Sequence, residues 1–149
     1  MRDLNNFFME IAEKFSTLST CGRLKVGAVI TKNNRIISTG YNGVPSGLQH
    51  CCEIHKGIDF SIPENNEMHK QFSAQYELHA EQNAIVEAAK NGIALNGSIL
   101  YTTVEPCDYC RKLIAQSGIK NVFYRYKYDR NNKESDLIAE KLGLIIKQI

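Results

Sequence analysis

Near the start of the chain, apolar residues fall at Leu4, Phe7, Phe8, Ile11, Phe15 and Leu18. This spacing predicts an amphipathic helix that lays one face on a core. Two β-branched runs follow, Val26 to Ile30 and Ile36 to Ser38, separated by Lys32-Asn33-Asn34-Arg35, whose asparagines have the chemistry of a hairpin turn. Further on, Ala80 to Lys90 reads as a helix closed by Asn91-Gly92, Ile99 to Thr103 as a strand, and Cys107 to Ser117 as a helix ending at Gly118. The chain closes with a strand from Asn121 to Tyr124, a helix from Ser135 to Leu142 capped by its serine, and a strand from Leu144 to Lys147.

Strands alternating with helices in the second half imply parallel pairing, whereas the early hairpin is antiparallel. The expected fold is therefore α/β: a three-layer α/β/α sandwich around a mixed, about five-stranded sheet. A length of 149 residues fits one domain spanning 1–149. Between Tyr41 and about Tyr76 the periodicity is lost, and Gly43, Pro45, Gly47, Gly57 and Pro63 punctuate the stretch. Irregular segments this long are uncommon inside a compact domain, so something other than an apolar face must fix an insertion at about 43–76, with metal ligation the leading candidate.

Composition narrows the function classes. A formal net charge of +2 gives no electrostatic commitment to long nucleic acid, although a local basic patch can still hold a phosphate. No apolar run is long enough to cross a bilayer and no basic-then-apolar leader opens the sequence, so a cytoplasmic protein without a membrane partner is expected. Its five cysteines, Cys21, Cys51, Cys52, Cys107 and Cys110, are then expected to serve metal or catalysis in preference to disulfides.

The sharpest chemical signal has two halves, His79-Ala80-Glu81 and Pro106-Cys107-Asp108-Tyr109-Cys110. One imidazole and two thiolates supply three ligands to a tetrahedral zinc and leave the fourth position to water, as a catalytic site requires. All three ligands fall at predicted helix starts, where the helix dipole favours the thiolate. Residues two apart on a helix body point to nearly opposite sides, so His79 and Glu81 share a site only if it caps the helix end. Glu81 is left free to move protons. A Cys-x-x-Cys alone would fit a structural zinc knuckle or a redox pair equally well; the adjoining histidine and carboxylate favour catalysis.

Together the halves make the H-x-E and P-C-x-x-C pattern of zinc nucleobase deaminases. With Arg23 to Ile30, Gly40-Tyr41-Asn42-Gly43, His79 to Ile85, Thr103 to Cys110 and Ala115 to Lys120, most of the chain resembles the cytidine and deoxycytidylate deaminase superfamily, and its deoxycytidylate branch in particular. The resemblance implies a cytidine deaminase-like fold and zinc-dependent deamination of dCMP to dUMP with release of ammonia, in pyrimidine deoxynucleotide supply. It implies that Glu81 is catalytic and that His79, Cys107 and Cys110 hold the zinc. It places Asn42 on the sugar, the Ala80 backbone on the pyrimidine and Val26 in the pocket lining, with Lys25 as a phosphate contact. A homo-oligomer, hexameric in this family, and control by deoxynucleoside triphosphates are implied as well.

On local grounds alone, Asn42 before Gly43 reads as a turn residue and Lys25 equally well as a solvated side chain. Some phage deoxycytidylate deaminases carry a second, structural zinc, and by resemblance Cys21, Cys51, His69 and Glu77 match its ligands, with Cys52 or His55 as possible replacements. Glu105 departs from the small residue common before the proline in this branch and is similar instead to tRNA adenosine and guanine deaminases. Two rival readings follow: a tRNA adenosine or other nucleobase deaminase, with the aromatic and basic residues of Tyr124 to Tyr128 tracking RNA, and a catalytically silent zinc-binding assembly module.

Overall fold

The computed structural model describes residues 3–149. A first helix α1 (Leu4–Ser16) leads into strands β1 (Gly27–Lys32) and β2 (Arg35–Tyr41), followed by helices α2 (Cys51–Ile54), α3 (Pro63–Tyr76) and α4 (Ala80–Lys90). Strand β3 (Ile99–Val104), helix α5 (Asp108–Gln116), strand β4 (Asn121–Tyr126), helix α6 (Lys133–Lys141) and strand β5 (Ile145–Gln148) complete the order. The sheet runs β2-β1-β3-β4-β5. β1 is antiparallel to both β2 and β3, and the β3–β4 and β4–β5 pairs are parallel, which is the expected mixed sheet.

The hairpin between β1 and β2 turns on Asn33 and Asn34, both with positive φ (52° and 58°), the backbone that a tight two-residue turn needs and that asparagine tolerates. Alternation along the central strands then sends side chains to two cores. Val29 and Tyr101 pack with Phe8, Met9 and Ala12 of α1 on one face. Ala28, Ile30, Leu100 and Val122 meet Ala84, Ala88, Ile114 and Ala139 of α4, α5 and α6 on the other. The α4 contact is close: a Cβ on Gly40 would collide with the Ala80 carbonyl and the Ala84 backbone, so glycine at this point of β2 lets the helix and its N-terminus approach the sheet.

Two expectations change. The segment read as irregular to about Tyr76 contains the α3 helix over Pro63–Tyr76, which has proline in its first turn and only His69 buried. A helix that buries so little carries no apolar stripe, so periodicity could not reveal it. The last helix is capped by Asn132, not by Ser135: Asn132 Oδ1 accepts from the Glu134 and Ser135 amides, and Ser135 sits one turn inside, its Oγ accepting from the Asn132 amide. The 43–76 segment is anchored by aromatic packing as well, with His55 against Phe72 (centroids 4.8 Å apart) and His69 against Phe60 (5.0 Å). No helix of the described residues is long and apolar enough to cross a membrane.

Candidate active site and metal centres

Beyond the C-terminal end of β3 the chain passes through Glu105 and Pro106 into α5, with Cys107 as the N-cap and Cys110 in the first turn. His79 is the N-cap of α4, its amide donating to Gln82 Oε1 at 2.7 Å. The two helix starts meet: His79 Nδ1 lies 3.4 Å from Cys107 Sγ and 3.3 Å from Cys110 Sγ. Bond lengths of about 2.0 Å to nitrogen and 2.3 Å to sulfur in a tetrahedral zinc site imply an N···S edge of about 3.5 Å, so the donor set has the size and chemistry of a zinc site. Without a metal the three donors share protons unequally. Hydrogen bonding from Cys110, with His79 adding to it, pulls the Cys107 thiol down to about 4, while the same pairing and burial push Cys110 up. The interaction with Cys107 raises His79.

Glu81, in the first turn of α4, is 4% exposed and stands outside the trio, with Oε2 3.7 Å from Cys110 Sγ and Oε1 3.4 Å from Thr102 Oγ1. Burial raises its proton affinity above the ordinary carboxylate range. A carboxyl beside a three-donor metal site, tuned towards carrying a proton, is equipped for acid–base work on a metal-activated water.

A second cluster comprises Cys21, Cys51, His69 and Glu77, all buried, with one ligand atom from each within 4.8 Å of the others. Cys21 Sγ is 3.3 Å from His69 Nε2, which is 3.9 Å from Glu77 Oε2. Glu77 Oε1 is buried with no hydrogen-bond partner, the state of a carboxylate oxygen that a cation would satisfy. Burial pushes Cys51 up to about 12, raises Cys21 and lowers His69, so without a cation this pocket favours neutral groups. Cys52 is exposed and apart from the cluster, whereas His55 abuts Cys51 at 3.5 Å.

Both clusters border one cavity of about 600 Å³, which Val26, Asn42, Ala80 and Glu81 also line. Asn42 is buried, with Oδ1 accepting from the Val26 amide (2.8 Å) and Nδ2 donating to the Leu24 carbonyl (2.7 Å), so it braces the approach to β1 from inside the cavity wall. Lys25 lines a neighbouring depression with Lys127 and Arg23, and Arg23 reaches both hollows. Sequence reasoning passed over Arg23, Tyr128, Arg130 and Asn131 as lining residues. The charge of the two arginines was visible; the connection after β4 that brings Tyr128, Arg130 and Asn131 to the cavity has no periodicity to place it.

The model of the cytidine and deoxycytidylate deaminase zinc-binding region matches residues 2–126. Deoxycytidylate deaminase of Enterobacteria phage T4 is 39% identical over 91% of this chain and 84% of its own length. ComE operon protein 2 of Bacillus subtilis is 35% identical over 97% of this chain and 70% of its own. Among solved structures, dCMP deaminase of cyanophage S-TIM5 in complex with dCMP and dUMP superposes with a TM-score of 0.79, at 37% identity over 100% of this chain and 99% of that one.

Proposed function

The chain belongs to the cytidine and deoxycytidylate deaminase family, and on that basis we propose that it hydrolyses the free nucleotide dCMP to dUMP and ammonia, using zinc. The observation that carries this reading is the meeting of His79, Cys107 and Cys110 beside a buried Glu81 on the wall of one cavity. The relatives named for deoxycytidylate, and the S-TIM5 structure holding dCMP and dUMP, support the substrate. In cells the reaction would feed pyrimidine deoxynucleotide supply in the cytoplasm, and the protein would act as a homo-oligomer, hexameric like its family.

His79, Cys107 and Cys110 would hold the catalytic zinc, which when bound lowers the pKa of water from 15.7 to about 7. Glu81 accepts a proton from the attacking water and passes it to ring N3 of cytosine as the water oxygen bonds to C4. Glu81 then takes the remaining proton from the C4 hydroxyl and gives it to the amino nitrogen, the C4–N bond breaks as C4=O forms, and ammonia leaves. Its raised proton affinity suits a group that must both take and return a proton. Val26 and the Ala80 backbone hold the pyrimidine, Asn42 meets the sugar, and Lys25, from the adjoining depression, serves the phosphate.

Cys21, Cys51, His69 and Glu77 would hold a second, structural zinc. The support is a closed four-donor set with an unpartnered carboxylate oxygen inside it. The substrate reading is tested by ammonia release from dCMP, CMP, dCTP and adenosine-containing tRNA in parallel. dCMP is expected to be the preferred substrate, and equal use of CMP or a preference for tRNA would overturn the assignment.

A further inference from the structure

Arg111 is the largest wholly buried side chain of the described residues, 1% exposed, and it lies one residue beyond Cys110, on a face of α5 that the zinc chemistry does not use. Its guanidinium holds the β3–α5 loop at two points and the start of α6 at a third. Nε donates to the Pro106 carbonyl at 2.9 Å, Nη1 to the Ser135 carbonyl at the start of α6, and Nη2 to Glu105 Oε1 at 2.8 Å. The other oxygen of Glu105 accepts from the Tyr128 amide at 3.2 Å, and Asn131 Nδ2 donates to the same Pro106 carbonyl at 3.0 Å. One ion pair therefore gathers the loop that delivers Cys107, the β4–α6 connection and the first turn of α6. Tyr128, Arg130 and Asn131 of that connection line the cavity that Glu81 lines.

Burying a carboxylate and a guanidinium costs several kcal/mol of desolvation per ion, and an apolar pair of similar volume often stabilises a fold as well or better. What an apolar pair cannot do is direct the Pro106 carbonyl, the Tyr128 amide and the Ser135 carbonyl by hydrogen bonds. We propose that Glu105 and Arg111 are positioning residues that hang the Tyr128–Asn131 wall of the cavity on the zinc-bearing loop and so set its fit to the nucleotide. The inference rests on the substrate reading above. Glu105 lines the cavity wall, but both its oxygens are engaged, by Arg111 and by the Tyr128 amide, so neither side chain is expected to touch the reacting atoms.

The test is the double variant Glu105→Met, Arg111→Met, which removes both charges together and leaves neither one buried alone. It is expected to fold, to keep the metal content of the wild type and to keep kcat for dCMP within about threefold, while KM rises about tenfold or more, the signature of lost uniform binding. The amides of Tyr128 to Asn131 are expected to exchange hydrogen faster than in the wild type. Wild-type KM and wild-type exchange in the folded double variant would overturn the proposal. If that variant does not fold, Arg111→Lys keeps the charge but cannot serve three acceptors in a fixed fork, and it is held to the same two readouts. Should the wild type not turn over dCMP at all, the substrate reading falls, and the positioning role is then decided by the exchange rates alone.

Discussion

The two cysteine–histidine clusters draw on the same ligand types and border the same cavity, yet they are built differently. His79, Cys107 and Cys110 come from the starts of two helices packed on the sheet, offer three donors, and have a buried carboxyl standing beside them. Cys21, Cys51, His69 and Glu77 come from loops and from the little-packed α2 and α3, offer four donors, and are all buried. Three donors on a rigid frame leave a position open for chemistry, whereas four on a poorly packed frame close a site that holds the frame together. The clusters are joined through Glu77-Leu78-His79: Leu78 is pinned to Gly43 by hydrogen bonds of 2.9 and 3.1 Å, so ordering Glu77 also orders the approach to His79.

The largest expected effect separates chemistry from metal binding within the first cluster. Glu81→Gln should lower kcat for dCMP by about 10³-fold or more, since both proton transfers lose their carrier, while the zinc content stays that of the wild type. Substantial turnover by a clean preparation would remove Glu81 from its role.

Cys21→Ser addresses the second cluster. It is expected to release that metal and to destabilise the protein by at least about 2 kcal/mol, a drop of roughly 5 °C or more in Tm. Thermal unfolding beside Cys110→Ser makes the contrast, because the catalytic-site change should abolish turnover at a smaller cost in stability. Equal losses of stability would erase the distinction drawn between the sites.

The catalytic half was legible because its residues sit where local rules apply. Proline and cysteine after a strand, and a histidine capping an alanine-rich helix, fix direction and spacing within a few residues. Ala80 to Lys90 was readable to its ends, and the mixed sheet was readable in its five strands though not in their ends, as with β2, which runs over Arg35–Tyr41 where only Ile36 to Ser38 gave a strand signal. The segment from Tyr41 to Tyr76 was not, because the α3 helix turns no apolar stripe to the core and is tied down by contacts among His55, Phe60, His69 and Phe72, which follow neither a helix nor a strand period. Glu105 showed itself only as a departure from a family pattern. Its partner Arg111 gave no signal, since an arginine on a short helix ordinarily reads as exposed.

Two smaller effects sharpen the comparison. Asn42→Ala should cost about 1–3 kcal/mol, because the Val26 amide and the Leu24 carbonyl lose their partner, and it should weaken use of dCMP as well. Chemical unfolding and steady-state kinetics on one preparation read both, and unchanged dCMP kinetics would confine Asn42 to bracing the wall.

The smallest effect is one of pH on protein stripped of metal. Burial lowers the proton affinity of His69, so on acidification the unfolded chain takes up its proton first, near pH 6.5, and stability should fall as pH drops below that value. Metal-loaded protein should show a steeper dependence, because a zinc-bound imidazole cannot take up the proton that the unfolded chain takes. A stripped protein equally stable at pH 7.5 and pH 5.5 would mean that the second cluster is relaxed when empty.

The division of labour between the clusters is tested most directly by counting metal in the wild type and in the double variant Cys107→Ser, Cys110→Ser, with ammonia release from dCMP measured on both. The wild type should hold two zinc ions per chain and release ammonia, and the variant should hold one, remain folded and release none. A wild type with a single zinc that the variant loses would contradict the account, leaving the loop around Cys21, Cys51, His69 and Glu77 to be held by packing alone.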